Sequence, residues 1–407
     1  MRLRASKLLL TIAGFGLLFQ GGCSPEPETN YVPSSTKPQV YVSKDPEPLP
    51  VGKDPNADVV KGDDSVVPPL SVSVSLSAVP LVTDGPNSLW PRAVNLGGGT
   101  LLLIYGQDIE GFHTLKTQIS RDDGLTWVEH GEVAREAVTA TRELRDANLT
   151  VLPNGTILAI YRNINDGIFR IQVSASTDKG ATWAARGDVD VSSGATAQNM
   201  LHPLLRVSSK GRIQAYYSKQ KSRGGPLSIV MKSSSDDGKT WANELTVATR
   251  AIGNASYPAV IGLRDGSILV VFDTPRVDGD TRLVLRSTQS DNDGLTWSNT
   301  KDVYVPTNGL RSAKSPQAAI MEDGRPMIFF MSDEDTTEAE CCSIKMVVAN
   351  SPATFKDLSW GPQAITAVGG INNVFPSGVQ TTGGDWLLFY ERASNVSFNR
   401  VKIAGGL

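Results

Sequence analysis

The chain has 407 residues, with 39 Lys and Arg against 42 Asp and Glu, a formal net charge of −3. That balance excludes a basic nucleic-acid-binding surface and a disordered polyelectrolyte. The 38 Gly and 24 Pro favour many turns over long helices, and 3 Cys exclude a disulfide-dense scaffold.

Arg2, Arg4 and Lys7 precede an uncharged stretch from Leu8 to Phe19. A basic start followed by a short apolar core predicts a signal peptide over residues 1–22. The run Gln20-Gly21-Gly22-Cys23 resembles a bacterial lipobox. The resemblance implies lipidation of Cys23, export, and a membrane held through the lipid anchor. Ser24, in place of a retention aspartate, points to the outer membrane. Residues 23–69 hold ten of the 24 prolines among charged and small residues, the composition of an extended tether.

From residue 70 onward the chain is repetitive. Gly99, Gly155, Gly211, Gly266, Gly324 and Gly384 each precede an apolar run, at spacings of 56, 56, 55, 58 and 60. A proline stands eight residues before five of these glycines; Ala147 takes its place in the second repeat. Tryptophans 127, 183, 241 and 297 keep the same period, and Trp360 closes a degenerate fifth copy. Each unit has room for several short strands, which predicts an all-β six-bladed propeller of four-stranded antiparallel blades over residues 70–407. The expected parse starts the first strand after the proline, turns at the glycine and makes the apolar run the second strand. The sixth unit ends after its third strand. Ser71 to Val79 alternates apolar and polar residues, so it is expected to supply the missing outer strand and close the ring.

The segments before the tryptophans read SRDDGLTW, STDKGATW, SSDDGKTW and SDNDGLTW. They resemble the Asp box of the sialidase superfamily, with its BNR repeats, and the physics of that element is structural. Asp accepts backbone N–H bonds in a tight turn, Gly supplies a positive φ, and Trp buries a large ring. No residue of the element is assigned a catalytic role.

The candidate chemistry lies where six blades converge. Trp90, Asp146, His202, Tyr257, Ser315 and Phe375 precede the proline position, and Arg92, Asn148, Leu204, Ala259, Gln317 and Ser377 follow it. Gly106, Arg162, Ser218, Asp273, Met331 and Glu391 end the second strands. Carboxylates, arginines and aromatic rings are the groups that hold a sugar. Sialidases carry Arg two residues before the first-blade proline and a tyrosine nucleophile near the sixth; those positions are Leu89 and Phe375, which makes cleavage of sialic acid doubtful. Trp90-Pro91-Arg92 is more similar to the exo-arabinanases. The glutamates of that family, before the third-blade proline and at the end of the fourth-blade second strand, correspond to His202 and Asp273.

The expectation is an exo-acting glycoside hydrolase working as a monomer on a glycan or oligosaccharide. Asp273, Asp146 and His202 are its candidate catalytic residues. Trp90, Arg92, Asn148, Arg162, Tyr257, Gln317 and Glu391 are its candidate substrate contacts. The alternative is a lectin-like propeller that has lost the catalytic glutamates. Cys341-Cys342 suits either a vicinal disulfide or buried thiols. No cofactor is expected: the three His show no metal-ligand spacing, and Ca2+ at Asp333, Glu334 and Asp335 is a weaker reading than a solvated loop. The lipid anchor has a direct test. Cys23→Ser should move the protein from the membrane fraction to the soluble fraction on fractionation of expressing cells, and unchanged membrane association would refute it.

Overall fold

The computed structural model describes residues 70–81, 88–242, 244–249, 253–336, 341–352, 354–361 and 364–404. The signal peptide, Cys23 and the tether lie outside them. The described chain forms six four-stranded antiparallel sheets arranged as a propeller. Blade 1 comprises Ser88–Gly97, Thr100–Ile109, Phe112–Ser120 and Val128–Ala137. Blade 2 comprises Arg142–Val151, Ile157–Asn165, Ile168–Ser176 and Ala184–Ser192. Blade 3 runs Met200–Val207, Ile213–Gln220, Leu227–Ser234, Leu245–Ala248, and blade 4 Ser256–Gly262, Ile268–Pro275, Leu283–Ser290, Lys301–Tyr304. Blade 5 runs Ala313–Ile320, Pro326–Ser332, Ser343–Val348, Ile365–Val368. In blade 6, Asn373–Gln380, Trp386–Arg392 and Asn395–Ala404 are joined by Ser71–Pro80. This last strand runs antiparallel to Asn395–Ala404, with Ser71 opposite Ala404 and Pro80 opposite Ser397. The N-terminal strand therefore closes the ring and covers an edge that would otherwise be open.

The glycines that punctuate the repeats all make the first hairpin turn, at φ between 73° and 85°. The core is divided by interface. Six apolar clusters fill the six gaps between neighbouring blades. The Asp boxes brace these gaps from outside. In blade 1, the Ser120 hydroxyl donates to Asp122 Oδ1 at 2.7 Å and accepts from the Gly124 N–H at 2.8 Å. The Thr126 N–H donates to the same carboxylate at 2.9 Å. Trp127 then meets Phe389 of blade 6 edge-on, with ring centroids 5.5 Å apart. Asn292 works in the fourth box because Oδ1 still accepts from the Thr296 N–H while Nδ2 donates to the Thr296 hydroxyl.

One expectation needs correction. The first strand of each blade does not begin after the proline; it passes through it. The pairing explains how. In blade 1, Leu89 faces Gly106 and Arg92 faces Ile104, so Trp90 and Pro91 together stand opposite Tyr105. This is a β-bulge, and the same count recurs in all six blades. The extra residue of a bulge leaves a backbone group outside the ladder. Proline has no N–H to leave unpaired, so it fits there without interrupting the strand. Opposite each bulge lies a buried aromatic: Tyr105, Tyr161, Tyr217, Phe272, Phe330 or Tyr390.

The closing strand can be tested by two truncations. Removing residues 1–69 should leave thermal stability unchanged. Removing 1–82, which takes the closing strand, should lower Tm by roughly 10 °C or more, since several kcal/mol of pairing and packing go with it. Equal Tm for the two would show that the ring does not depend on that strand.

Candidate functional site

The residue before each proline position has a positive φ: Trp90 52°, Asp146 56°, His202 53°, Tyr257 50°, Ser315 50° and Phe375 53°. Bulky residues avoid this region. Here the bulge imposes it six times, at the inner end of every blade, and turns these side chains toward the axis. Backbone strain of this kind concentrates at functional sites.

Four of the six, Trp90, Asp146, His202 and Tyr257, line a narrow void of about 20 Å³ together with Arg92, Asn148, Leu204 and Gln317. Arg92, Asn148, Leu204 and Gln317 also line a larger cavity of about 500 Å³ inside the propeller, so the two voids share these residues. Aromatic rings wall the smaller one. His202 stacks on Tyr257 with centroids 3.4 Å apart; Phe375 lies 6.1 Å from Tyr257 and 5.7 Å from Trp90. The Arg145 guanidinium sits 5.1 Å from the Trp90 ring centre, a cation–π contact.

The structure brings Trp90, Arg92, Asp146, Asn148, His202, Tyr257 and Gln317 to one pocket and gives each candidate carboxyl a different state. Asp146 is buried, which favours its proton, but Arg162 at 3.3 Å, His202 and Arg145 outweigh burial and hold it below the ordinary carboxylate value. Asp146 Oδ2 also accepts the His202 backbone N–H at 3.2 Å. Arg162 thus stands behind Asp146, with its other side 2.9 Å from Glu143.

Asp273 does not line the pocket. It is 1% exposed and bridges blades: Oδ1 accepts from the Ser256 hydroxyl at 2.5 Å and Oδ2 from the Ser315 N–H at 2.9 Å. Burial pushes its pKa up to about 6 against these bonds. Glu391 repeats the arrangement two interfaces on, between blades 6 and 1. It accepts the Trp90 N–H, its Oε2 is buried without a partner, and burial pushes its pKa up to about 8. Each of these second-strand carboxyls binds the strained bulge amide of the next blade. His202 is held neutral, its pKa driven to about 3 by burial, so it does not exchange protons near neutrality as a shuttle would.

The sequence reading missed Glu143 and Arg145 as parts of the site, and placed Phe375 in the converging ring without giving it a role. Arg145 and Glu143 lie on the strand leading into the second-blade bulge, where only the register would have drawn attention to them. The acidic loop of blade 5 gives no support to a Ca2+ site. Asp333 accepts the Ser312 N–H at 2.7 Å, and Lys345 lies 3.1 Å from Glu334 and 3.0 Å from Asp335. Among the described residues no group of three or more His, Cys, Asp or Glu is arranged to hold a metal. Cys341 and Cys342 are joined as a vicinal disulfide.

Residues 92–271 match the family model of the BNR repeat-like domain. The match lies within the six-bladed propeller and covers its first three blades and part of the fourth. Among solved structures, an α-L-arabinofuranosidase of Fusarium graminearum, solved with arabinobiose, is 16% identical, with a TM-score of 0.61 over 81% of this chain and 97% of that one. An α-L-arabinanase of Penicillium chrysogenum, also with arabinobiose, is 18% identical, with a TM-score of 0.58 over 82% and 98%. The NanB sialidase of Streptococcus pneumoniae is 11% identical, with a TM-score of 0.56 over 79% and 70%. A Dyadobacter fermentans protein of unknown function is 15% identical, with a TM-score of 0.61 over 82% and 99%. No curated protein matches in sequence. The propeller is thus glycoside-hydrolase-like in fold, and its likeness extends to arabinanases as well as sialidases.

The state of Glu391 yields a pH prediction. A raised carboxyl pKa means that the folded state holds a proton the unfolded chain has released. Glu391 therefore contributes stability fully present below about 4.5 and lost as pH rises through about 8. Asp273 adds a similar slope only up to about 6. Glu391→Gln should flatten the fall in stability between pH 6 and 8, removing up to about 1.4 kcal/mol per pH unit. An unchanged slope in urea unfolding across that window would show that the carboxyl is ionised throughout.

Proposed function

We propose that this is an exported, carbohydrate-active propeller that binds the end of a glycan chain at the axial pocket and hydrolyses its terminal residue, with Asp146 as the acting carboxylate. The observation that carries the reading is the pocket itself. A recess lined by Trp90, the stacked pair His202 and Tyr257, and the polar groups of Asn148, Gln317 and Arg92 offers the stacking faces and hydrogen-bonding groups that a sugar needs. Asp146, ionised and braced by Arg162, can stabilise positive charge on the sugar or take a proton from water. The carboxyl held protonated at neutral pH is Glu391, bound to the Trp90 backbone. The hydrolases among the structural neighbours support a hydrolase reading of the fold.

A second reading, a lectin-like pocket, is favoured by one specific observation. Neither Asp273 nor Glu391 lines the pocket, and glycoside hydrolysis uses two carboxyl groups flanking the scissile bond.

A screen of aryl glycosides and arabinan, combined with a glycan array, separates the two. Turnover that falls at least about a hundredfold in Asp146→Asn, with the fold intact by circular dichroism, supports the hydrolase. Sugar binding without turnover supports the lectin. Turnover that survives Asp146→Asn shows that Asp146 is not the acting group.

A further inference from the structure

We propose that Arg145 is a positioning residue of the axial pocket, which from the seam between blades 1 and 2 fixes the Trp90 ring as a stacking face for a sugar. This inference rests on the glycan-binding reading above and adds to it a residue that would not touch the sugar.

The Trp90 ring needs such a support. Its backbone is held at a φ of 52°, with the amide donated to Glu391. The ring Nε1 is buried without a hydrogen-bond partner, so no polar bond sets the angle of the indole. Ring contacts set it instead. Phe375 meets it at 5.7 Å and a tilt of 59°, and the Arg145 guanidinium stands 5.1 Å from the ring centre. Trp90 lines the pocket and Arg145 does not, so the guanidinium meets the indole from outside the void. A cation over an aromatic face is drawn by the ring quadrupole, most strongly over Trp and away from water. Arg145 is buried, at 8% exposure.

Arg145 is itself held. Glu143 lies 3.9 Å from it. Asp108 on blade 1, Asp146 on blade 2 and Glu391 on blade 6 all feel its charge through space. Asp108 is anchored in turn: its Oδ1 lies 3.1 Å from His113 Nδ1, and His113 Nε2 lies 3.0 Å from the Arg142 carbonyl. A carbonyl only accepts, so Nε2 carries a proton and the imidazole is fixed from both sides. One guanidinium thus answers carboxyls from three blades. Moving it would leave these buried acids less compensated, which is unfavourable.

The same charge reaches Asp146. Burial favours the proton there, and Arg162, then His202, then Arg145 overcome it. Arg92 faces Asp146 as well. Removing the charge of Arg145 therefore raises the pH at which Asp146 gives up its proton, while a lysine in its place keeps the charge.

The test uses the full chain. The fluorescence difference between each protein and its Trp90→Phe counterpart isolates Trp90, and acrylamide quenching reports how firmly the ring is packed. Quenching should rise in Arg145→Gln and stay near the wild-type value in Arg145→Lys. Calorimetric titration with arabinobiose and with the methyl glycosides of galactose and glucose reads the site. Arg145→Gln should bind at least about threefold more weakly, the lower end of one cation–π contact, and Arg145→Lys should recover part of the loss. Between pH 3 and 6 the acid limb of binding should move up by about half a pH unit in Arg145→Gln and stay in place in Arg145→Lys. Unchanged quenching in Arg145→Gln overturns the inference, and so does unchanged sugar affinity; both leave the glycan reading in place. An acid limb that does not move overturns it too, since that is the mark of packing alone. If none of these sugars binds, the glycan reading falls and the inference with it. Should Arg145→Gln not fold, Asp108→Asn removes one of the charges that hold the guanidinium and should raise Trp90 quenching; no rise overturns the inference.

Discussion

The structure depends on a single backbone constraint, a β-bulge at the inner end of every blade. The bulge forces a left-handed residue, and that residue is Trp, Asp, His, Tyr, Ser or Phe rather than glycine. Side chains that would alternate between the faces of a blade are thereby aimed at the axis. The cost is strain and an amide displaced from the ladder. Proline removes one donor from the problem. At three of the bulges a carboxyl from the preceding blade takes the displaced amide: Glu391 for Trp90, Asp146 for His202 and Asp273 for Ser315. Four of the six local irregularities line the pocket, and three are held in place by a carboxyl of the preceding blade.

That arrangement explains what could be read from the sequence. Glycine, proline and tryptophan recur because each solves a backbone or packing problem at the same place in every blade, so the period, the blade count and the closing strand were legible. The bulge was not, although its proline and the aromatic opposite it are both visible in the repeats. Its register depends on how two strands pair, and proline read as a strand boundary hid that. The candidate carboxyls were legible as positions but not as states. Asp273 and Asp146 look alike in the repeats. One is sealed behind Ser256 and the other is drawn to its charged form by Arg162, and both differences come from contacts that cross between strands or blades.

The electrostatics of the site follow from the same geometry. The second-strand carboxyls face inward toward a backbone amide, so burial dominates and keeps Glu391 protonated. Asp146 sits on the bulge itself, within reach of Arg162, so Coulomb attraction dominates and keeps it charged. Two acids of the same inner ring therefore end in opposite protonation states without a metal ion needing to be invoked. His202, stacked on Tyr257 and buried, is neutral for the same reason that Glu391 is.

Ring closure and pocket geometry are mechanically linked through blade 6. Phe375 belongs to the first strand of that blade and accepts from Arg92 through its carbonyl, while Glu391, in the second, holds the Trp90 amide. The third strand pairs with Ser71–Pro80 at the outer edge. Any movement of blade 6 away from blade 1 would loosen the Trp90 bulge, the Arg92 contact and one wall of the aromatic enclosure together. A propeller closed by its own N-terminal strand thus steadies Trp90 and Arg92, the blade 1 lining of the pocket, beside the seam where an unsealed ring would be least rigid. Arg92 and Trp90, the residues next to that seam, are the ones whose positions depend on it most directly.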